Sequence, residues 1–273
     1  MENALSIDLE DWFCVSNMRT IVPPADWDRQ EMRIVRNSLA LLDLLDRQGR
    51  KATFFVLGWI AERLPDLIGR IAEKGHEIAT HGYSHRLLTE MTPREFEADL
   101  RRALDVTEPL AGREVVGFRA PTFSLTDKTL WAPDILLRNG IRYDSSVFPM
   151  SFNNDYRGVP NLSLDVFRFP NGLIEFPLGC APILGLRVPF AGGCFFRALP
   201  YTLTKWLVRR CNRAGRAVIF YLHPWEIDLG QPRMALPRIA SLRHYLNLHK
   251  TLGRLTGLLE DFDFTSARKV LKV

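Results

Sequence analysis

KATFFVLGWIAERLPDLIGRIAEKGHEIATHGYSH, residues 51–85, holds a strand, a helix, a second strand and two histidines in that order. Lys51–Leu57 is rich in β-formers. Pro65 opens a helix, because its fixed φ suits the first helical position and its missing N–H is not needed there. That helix, PDLIGRIAEKG, stops at Gly75, and HEIAT then forms a short strand that runs directly into His81. His81 and His85 lie four residues apart. In a helical turn that spacing turns both side chains the same way, so two imidazoles could reach one ion.

The same alternation extends outward. ALSID is a buried-strand candidate, and MRIVRNSLALLDLLDRQ, residues 32–48, repeats apolar residues at helical spacing before stopping at Gly49. Pro93 starts a helix to about Leu110. EVVGFR, a helix near 127–138, IRYDSS and AVIFYLH continue the series. Repeated βα units imply a mainly parallel sheet or barrel covered by helices, an α/β fold. Chemistry in such folds collects at the carboxyl ends of strands. Those ends carry Asp8, Glu10 and Asp11, then His81 and His85, Arg119, Asp144 and His223. A hydrophobic core needs none of them.

Two imidazoles and a carboxylate are a standard set for a catalytic divalent ion. Strand residues alternate faces, which pairs Asp8 with Glu10 and turns Asp11 away. One of the pair would bind metal and the other accept a proton from the attacking water. Asp11 stays open as a ligand if the strand ends at Leu9. Arg119 can hold the base carboxylate ionised. His223 can donate a proton to a leaving amine, with Asp144 orienting it.

These residues resemble the NodB-type polysaccharide deacetylases, carbohydrate esterase family four. The resemblance rests on HEIATHGYSH with the stretch before it, GFRAP and YLHPWEID, and covers about residues 4–228. GQPR, RHYLNL and LLEDF resemble the C-terminal extension of a subgroup associated with exopolysaccharide and exosortase loci. The resemblance implies a distorted (β/α) barrel and a divalent metal, usually Zn2+. It also implies hydrolysis of N-acetyl groups on amino sugars of a polysaccharide or lipid-linked oligosaccharide. Asp8 looks like the base, His81 and His85 like ligands, Arg119 like the residue that positions the base, His223 like the acid and Asp144 like its partner. The family has two adjacent aspartates where this chain has Asp8 and Leu9. Glu10 fits the Asp-x-Asp spacing of other relatives and is the expected third ligand. Two alternatives are a metal-independent amidase on a cyclic amide, similar to allantoinases, and an inactive glycan-binding barrel.

Composition agrees with a globular chain: 273 residues, 47% hydrophobic, 25% charged, net charge +5. The first residues lack the basic and apolar regions of a secretory signal, which predicts a cytoplasmic protein, peripheral at most to the inner membrane. The four cysteines are far apart and read as free thiols. Paired Gly192 and Gly193 read as a turn or a close backbone approach, since the lysine of a phosphate loop is missing. His76 reads as structural, His244 and His249 as surface residues, and Trp225 as a substrate wall. No nucleic-acid motif is present. The expected domains are a barrel, 1–230, and a helical extension, 231–273. The extension has eight Lys/Arg against three acids, a basic face that would meet a membrane or a synthase. Leu248, Leu252, Leu255, Leu259 and Phe262 would form its inward stripe.

Overall fold

The computed structural model describes residues 1–149 and 162–273. Its strands are β1 Asn3–Leu9, β2 Thr53–Val56, β3 Glu77–Thr80, β4 Gly117–Phe118, β5 Tyr143–Asp144, β6 Phe167–Arg168, β7 Ile174–Glu175, β8 Cys180–Ile183, β9 Leu186–Pro189, β10 Ile219–Leu222 and β11 Phe264–Thr265. Its helices are α1 Ile34–Arg47, α2 Gly58–Arg63, α3 Pro65–Glu73, α4 Pro93–Ala111, α5 Ala132–Arg138, α6 Gly193–Ala198, α7 Tyr201–Arg213, α8 Arg238–Tyr245, α9 Leu248–Asp261 and α10 Ala267–Leu271.

The sheet runs β10-β1-β2-β3-β4-β5-β7-β6, parallel except for the β6–β7 pair. All seven residues of β1 are buried, as expected of a central strand covered on both faces. The sheet curls round on itself. Beyond β7 the chain bonds back through Leu178, whose N–H reaches Val147 and which bridges Ile219 of β10. The result is a distorted (β/α) half-barrel with helices outside, as the sequence predicts.

Local signals set the helix ends. Asp11 caps α1, accepting from the Arg33 and Ile34 N–H groups at 2.7 and 2.9 Å. Thr92 and Glu95 form a reciprocal capping box on α4, with Pro93 at its first position. Gly192 and Gly193 make the predicted close approach: a Cβ on Gly192 would overlap the Tyr221 carbonyl, and φ of +129° at that residue is open to glycine.

The region after residue 230 departs from expectation in three ways. It is not purely helical, because β11 pairs in parallel with β1 at Asn3 and Ala4. Its apolar stripe is Leu248, Leu255, Leu258 and Leu259 with Thr251, whereas Leu252 is exposed. His244, expected at the surface, is fully buried.

Candidate active site

Glu10 is the hinge of the site. β1 ends at Leu9, and the Glu10 N–H folds back onto the Asp8 carbonyl at 2.9 Å. That turn aims the Glu10 carboxylate at three imidazoles. Its Oε1 lies 3.6 Å from His81 Nε2 and 3.3 Å from His223 Nε2, and its Oε2 lies 3.2 Å from His85 Nε2. Glu10 is buried, yet its pKa is held well below the usual range. Burial raises it, and His85, His223 and His81 together outweigh burial.

The two histidines do not meet through a helical turn. The segment after β3 is a loop, with Gly82 at φ +73° and His85 at φ +53°. A left-handed histidine costs free energy, and such strain persists where the surroundings fix it, commonly at functional sites. Asp99 supplies part of that fixing, accepting from the Tyr83 and Ser84 N–H groups. His81 Nδ1 sits 2.8 Å from the Arg119 carbonyl. A carbonyl only accepts, so Nδ1 carries the proton and Nε2 offers its lone pair. The ligating atoms of Glu10, His81 and His85 lie within 4.8 Å of one another. Glu10 Oε2 has no hydrogen-bond partner though buried. A deprotonated carboxylate oxygen and a lone pair fixed on Nε2 fit a divalent cation.

Asp8 stands beside this trio. Arg119 donates to its Oδ1 at 2.6 Å, and the guanidinium is pinned by Ser6 Oγ, the Ser145 carbonyl and Ser145 Oγ at 2.8, 3.0 and 2.9 Å. Arg119 is fully buried, its charge spread over a carboxylate and three neutral acceptors. His223 Nε2 lies 3.9 Å from Asp8 Oδ2.

Asp11, the open alternative to the expected Glu10, and Asp144, the expected partner of His223, both lie elsewhere. Asp11 faces none of these groups and serves as the cap of α1, so the carboxylate directed at the histidines is that of Glu10. Asp144 does not orient His223. The residue bonded to His223 Nδ1, at 2.8 Å, is Glu226. Glu226 in turn accepts from the buried Arg197 at 2.6 Å. Asp144 instead pairs across β5–β7 with Glu175, both fully buried. Burial pushes Asp144 up to about 7 and Glu175 well above its usual value, so the two carboxyls hold a proton between them at neutral pH. The sequence signal for Glu226 was present: HPWE has the spacing of a capping box, and the Glu226 side chain also accepts from the His223 N–H.

Burial disfavours charge on His223, but hydrogen bonds and attraction from Glu10 and Glu226 outweigh it and lift its pKa to about 10. The imidazolium form is therefore available as a proton donor. Trp225 stacks on His223 with ring centroids 5.2 Å apart, and His244 stacks on its other side at 4.2 Å. The expected substrate wall is thus mainly a packing plate, 5% exposed. A cleft of about 690 Å³ opens over the group, lined among others by Glu10, His85, Asn17, Lys128, His223 and Trp225.

This geometry can be set beside known proteins. Residues 28–138 match the family described as polysaccharide deacetylase. Residues 145–272 match a domain of unknown function, DUF3473. The deacetylase match contains His81, His85 and Arg119, while Asp8 and Glu10 precede it and His223 and Glu226 lie in the second match. The site is thus assembled from both matched segments and the first strand.

A peptidoglycan deacetylase-like protein, FGM2, of Gibberella zeae is 37% identical over 109 residues, 39% of this chain and 31% of its own length. The chain thus spans about a third of that curated relative. Among solved structures, a provisionally named polysaccharide deacetylase from Mycobacterium smegmatis superposes with TM-score 0.56 at 21% identity, over 100% of this chain and 90% of the other. PuuE allantoinase superposes with TM-score 0.62 at 14% identity, over 98% and 88%. These two likenesses concern the fold.

Proposed function

We propose that the protein is a divalent-metal-dependent hydrolase that removes N-acetyl groups from an amino-sugar glycan. The observation that carries this reading is the buried trio of Glu10, His81 and His85 between an Arg119-held Asp8 and a Glu226-held His223. Glu10, His81 and His85 would hold the ion, and Zn2+ suits two imidazoles and a carboxylate. When bound, the ion would polarise the acetamide carbonyl and lower the pKa of a water.

The chain's own groups then divide the proton work. Asp8, kept in place by Arg119, takes the proton of the water that attacks the acetyl carbon. His223 gives its Nε2 proton to the sugar nitrogen as the C–N bond breaks. Acetate and a free amine leave. Glu226, itself fixed by Arg197, holds His223 through Nδ1 so that Nε2 faces the cleft. The name of FGM2 and the matched family support an N-acetylated glycan as substrate. The resemblance of residues 231–273 to the exopolysaccharide subgroup favours an exopolysaccharide or its lipid-linked precursor over peptidoglycan.

The test is acetate release from a panel of N-acetylated polysaccharides, lipid-linked oligosaccharides and peptidoglycan fragments, after chelation and after metal is restored. Chelation should abolish release, and Zn2+ should restore it. Full turnover in the chelated protein would overturn the metal-dependent reading. Hydrolysis of a cyclic amide, with no acetate from any glycan, would favour the amidase alternative.

A further inference from the structure

From Phe176 to Trp225 the chain carries seven Lys/Arg and no acidic residue. Four of the seven are occupied. Arg197 pairs with Glu226, Lys205 with Asp261 and Arg216 with Asp165, while Arg187 donates to the Pro149 and Leu162 carbonyls. The other three, Arg209, Arg210 and Arg213, are exposed on α7 and make no ion pair among the described residues. α7 buries Thr204, Leu207, Val208 and Cys211. Its outer face therefore presents Leu203, Trp206, Arg209, Arg210 and Arg213.

The β8–β9 hairpin abuts this face. Arg210 Nε reaches the Pro182 carbonyl at 3.3 Å, and Arg210 lies 5.7 Å from the centre of the Trp206 ring. The hairpin tip holds Leu184, 98% exposed, and Leu186, 57% exposed, while Trp206 is 47% exposed. A monomer gains nothing from large apolar side chains at a turn, where Asn, Asp or Ser would serve. Among the described residues no helix is long and apolar enough to cross a membrane.

We propose that α7 and the β8–β9 hairpin form a docking surface for an anionic lipid bilayer. The three arginines complement the headgroup charge, and Leu184, Leu186 and Trp206 enter the headgroup–acyl boundary. The exposed leucines favour a bilayer over a soluble polyanion, which would engage the arginines alone. This relocates the contact expected of the residues after 230. There Arg254 is committed to the Phe196 and Arg197 carbonyls, Lys269 to Glu2 and Arg268 to the Val273 carbonyl. The surface shares no residue with the lining of the catalytic cleft.

The test is co-sedimentation of the full chain with vesicles of phosphatidylcholine alone or containing about a third phosphatidylglycerol, at about 0.05 M and about 0.5 M salt. The native chain should bind the anionic vesicles at low salt and the neutral ones poorly. The triple variant Arg209→Gln, Arg210→Gln, Arg213→Gln should lose about tenfold or more in partitioning. The double variant Leu184→Ser, Trp206→Ser should lose about tenfold on vesicles while its binding to soluble dextran sulfate stays unchanged. Both variants should melt like the native chain, since every altered side chain is exposed. Equal binding to neutral vesicles would overturn the proposal. So would an unaffected Leu184→Ser, Trp206→Ser variant, which marks a polyanion face. So would loss of binding in an Arg238→Gln, Lys250→Gln, Lys272→Gln control while the α7 triple variant still binds.

Discussion

Glu10 and Asp11 are neighbouring buried carboxylates whose hydrogen bonding separates their roles. Asp11 accepts from three backbone N–H groups, those of Trp12, Arg33 and Ile34. Glu10 leaves one oxygen unpartnered and faces imidazoles. Glu10→Gln should therefore bring bound divalent metal, read by elemental analysis, from one equivalent to a small fraction, with the fold retained. Asp11→Ala should keep its metal and lose about 1 kcal/mol of stability as a broken helix cap. The reverse pattern would reassign the third ligand to Asp11. A second pair of variants separates Glu226 from Asp144. Glu226→Gln should cut kcat by about 10²-fold, because His223 loses the acceptor that orients it. Asp144→Asn should change kcat little, because a shared proton already leaves the Asp144–Glu175 pair partly neutral. A larger kcat loss in Asp144→Asn than in Glu226→Gln would restore Asp144 as the partner of the acid. Most of this cluster was legible in the sequence, because its ionisable groups lie at or just beyond the ends of strands. The partner of His223 was signalled only by the capping-box spacing of HPWE. Its identity turns on a short 3-10 turn after β10 that folds Glu226 back under the imidazole, whereas the resemblance pointed to Asp144.

The long helices and central strands follow from periodicity and punctuation. α1, α3 and α4 begin and end within two residues of the expected limits, because proline and glycine fix their ends. The short strands β6 to β9 leave no signal in the sequence, since two- and four-residue pairs show no period. His244 reads as a surface residue because α8 has no apolar stripe to show which side packs inward. Its burial has a measurable result. Burial holds His244 down to about 3 and His76 to about 4, against an ordinary value of 6.5. Between those values the unfolded chain binds more protons than the folded one. Folding stability is therefore full above pH 6.5 and falls as the pH drops toward 4, with a slope approaching about 1.4 kcal/mol per pH unit for each histidine. Urea midpoints at about pH 7 and about pH 5 should differ markedly in the native chain and less in His244→Gln. Equal pH dependence in the two would show that His244 accepts its proton without unfolding.

Across the whole molecule, residue 230 is not a boundary. β11 pairs with β1, and the Ala267 N–H donates to Thr53 Oγ1 at 2.7 Å. Arg197, which holds Glu226, is itself bound to the Arg243, His244 and Leu246 carbonyls at 2.7, 2.9 and 2.8 Å. A chain cut after Gly230 should lack a cooperative thermal transition, and a sharp melt with retained metal would show that the barrel stands alone. The pairing of β1 with β10 also has a consequence in time. Ribosomes deliver β1 first and β2 soon after, but about 200 residues must follow before β10, the parallel neighbour on the other edge of β1, emerges, roughly 10–40 s at ordinary elongation rates. Through that interval a strand that is buried along its whole length in the finished fold has one open edge, ready to pair with whatever strand it meets. Expression yield should therefore respond to holdase chaperones and to slower growth temperature more than the stability of the finished barrel would suggest.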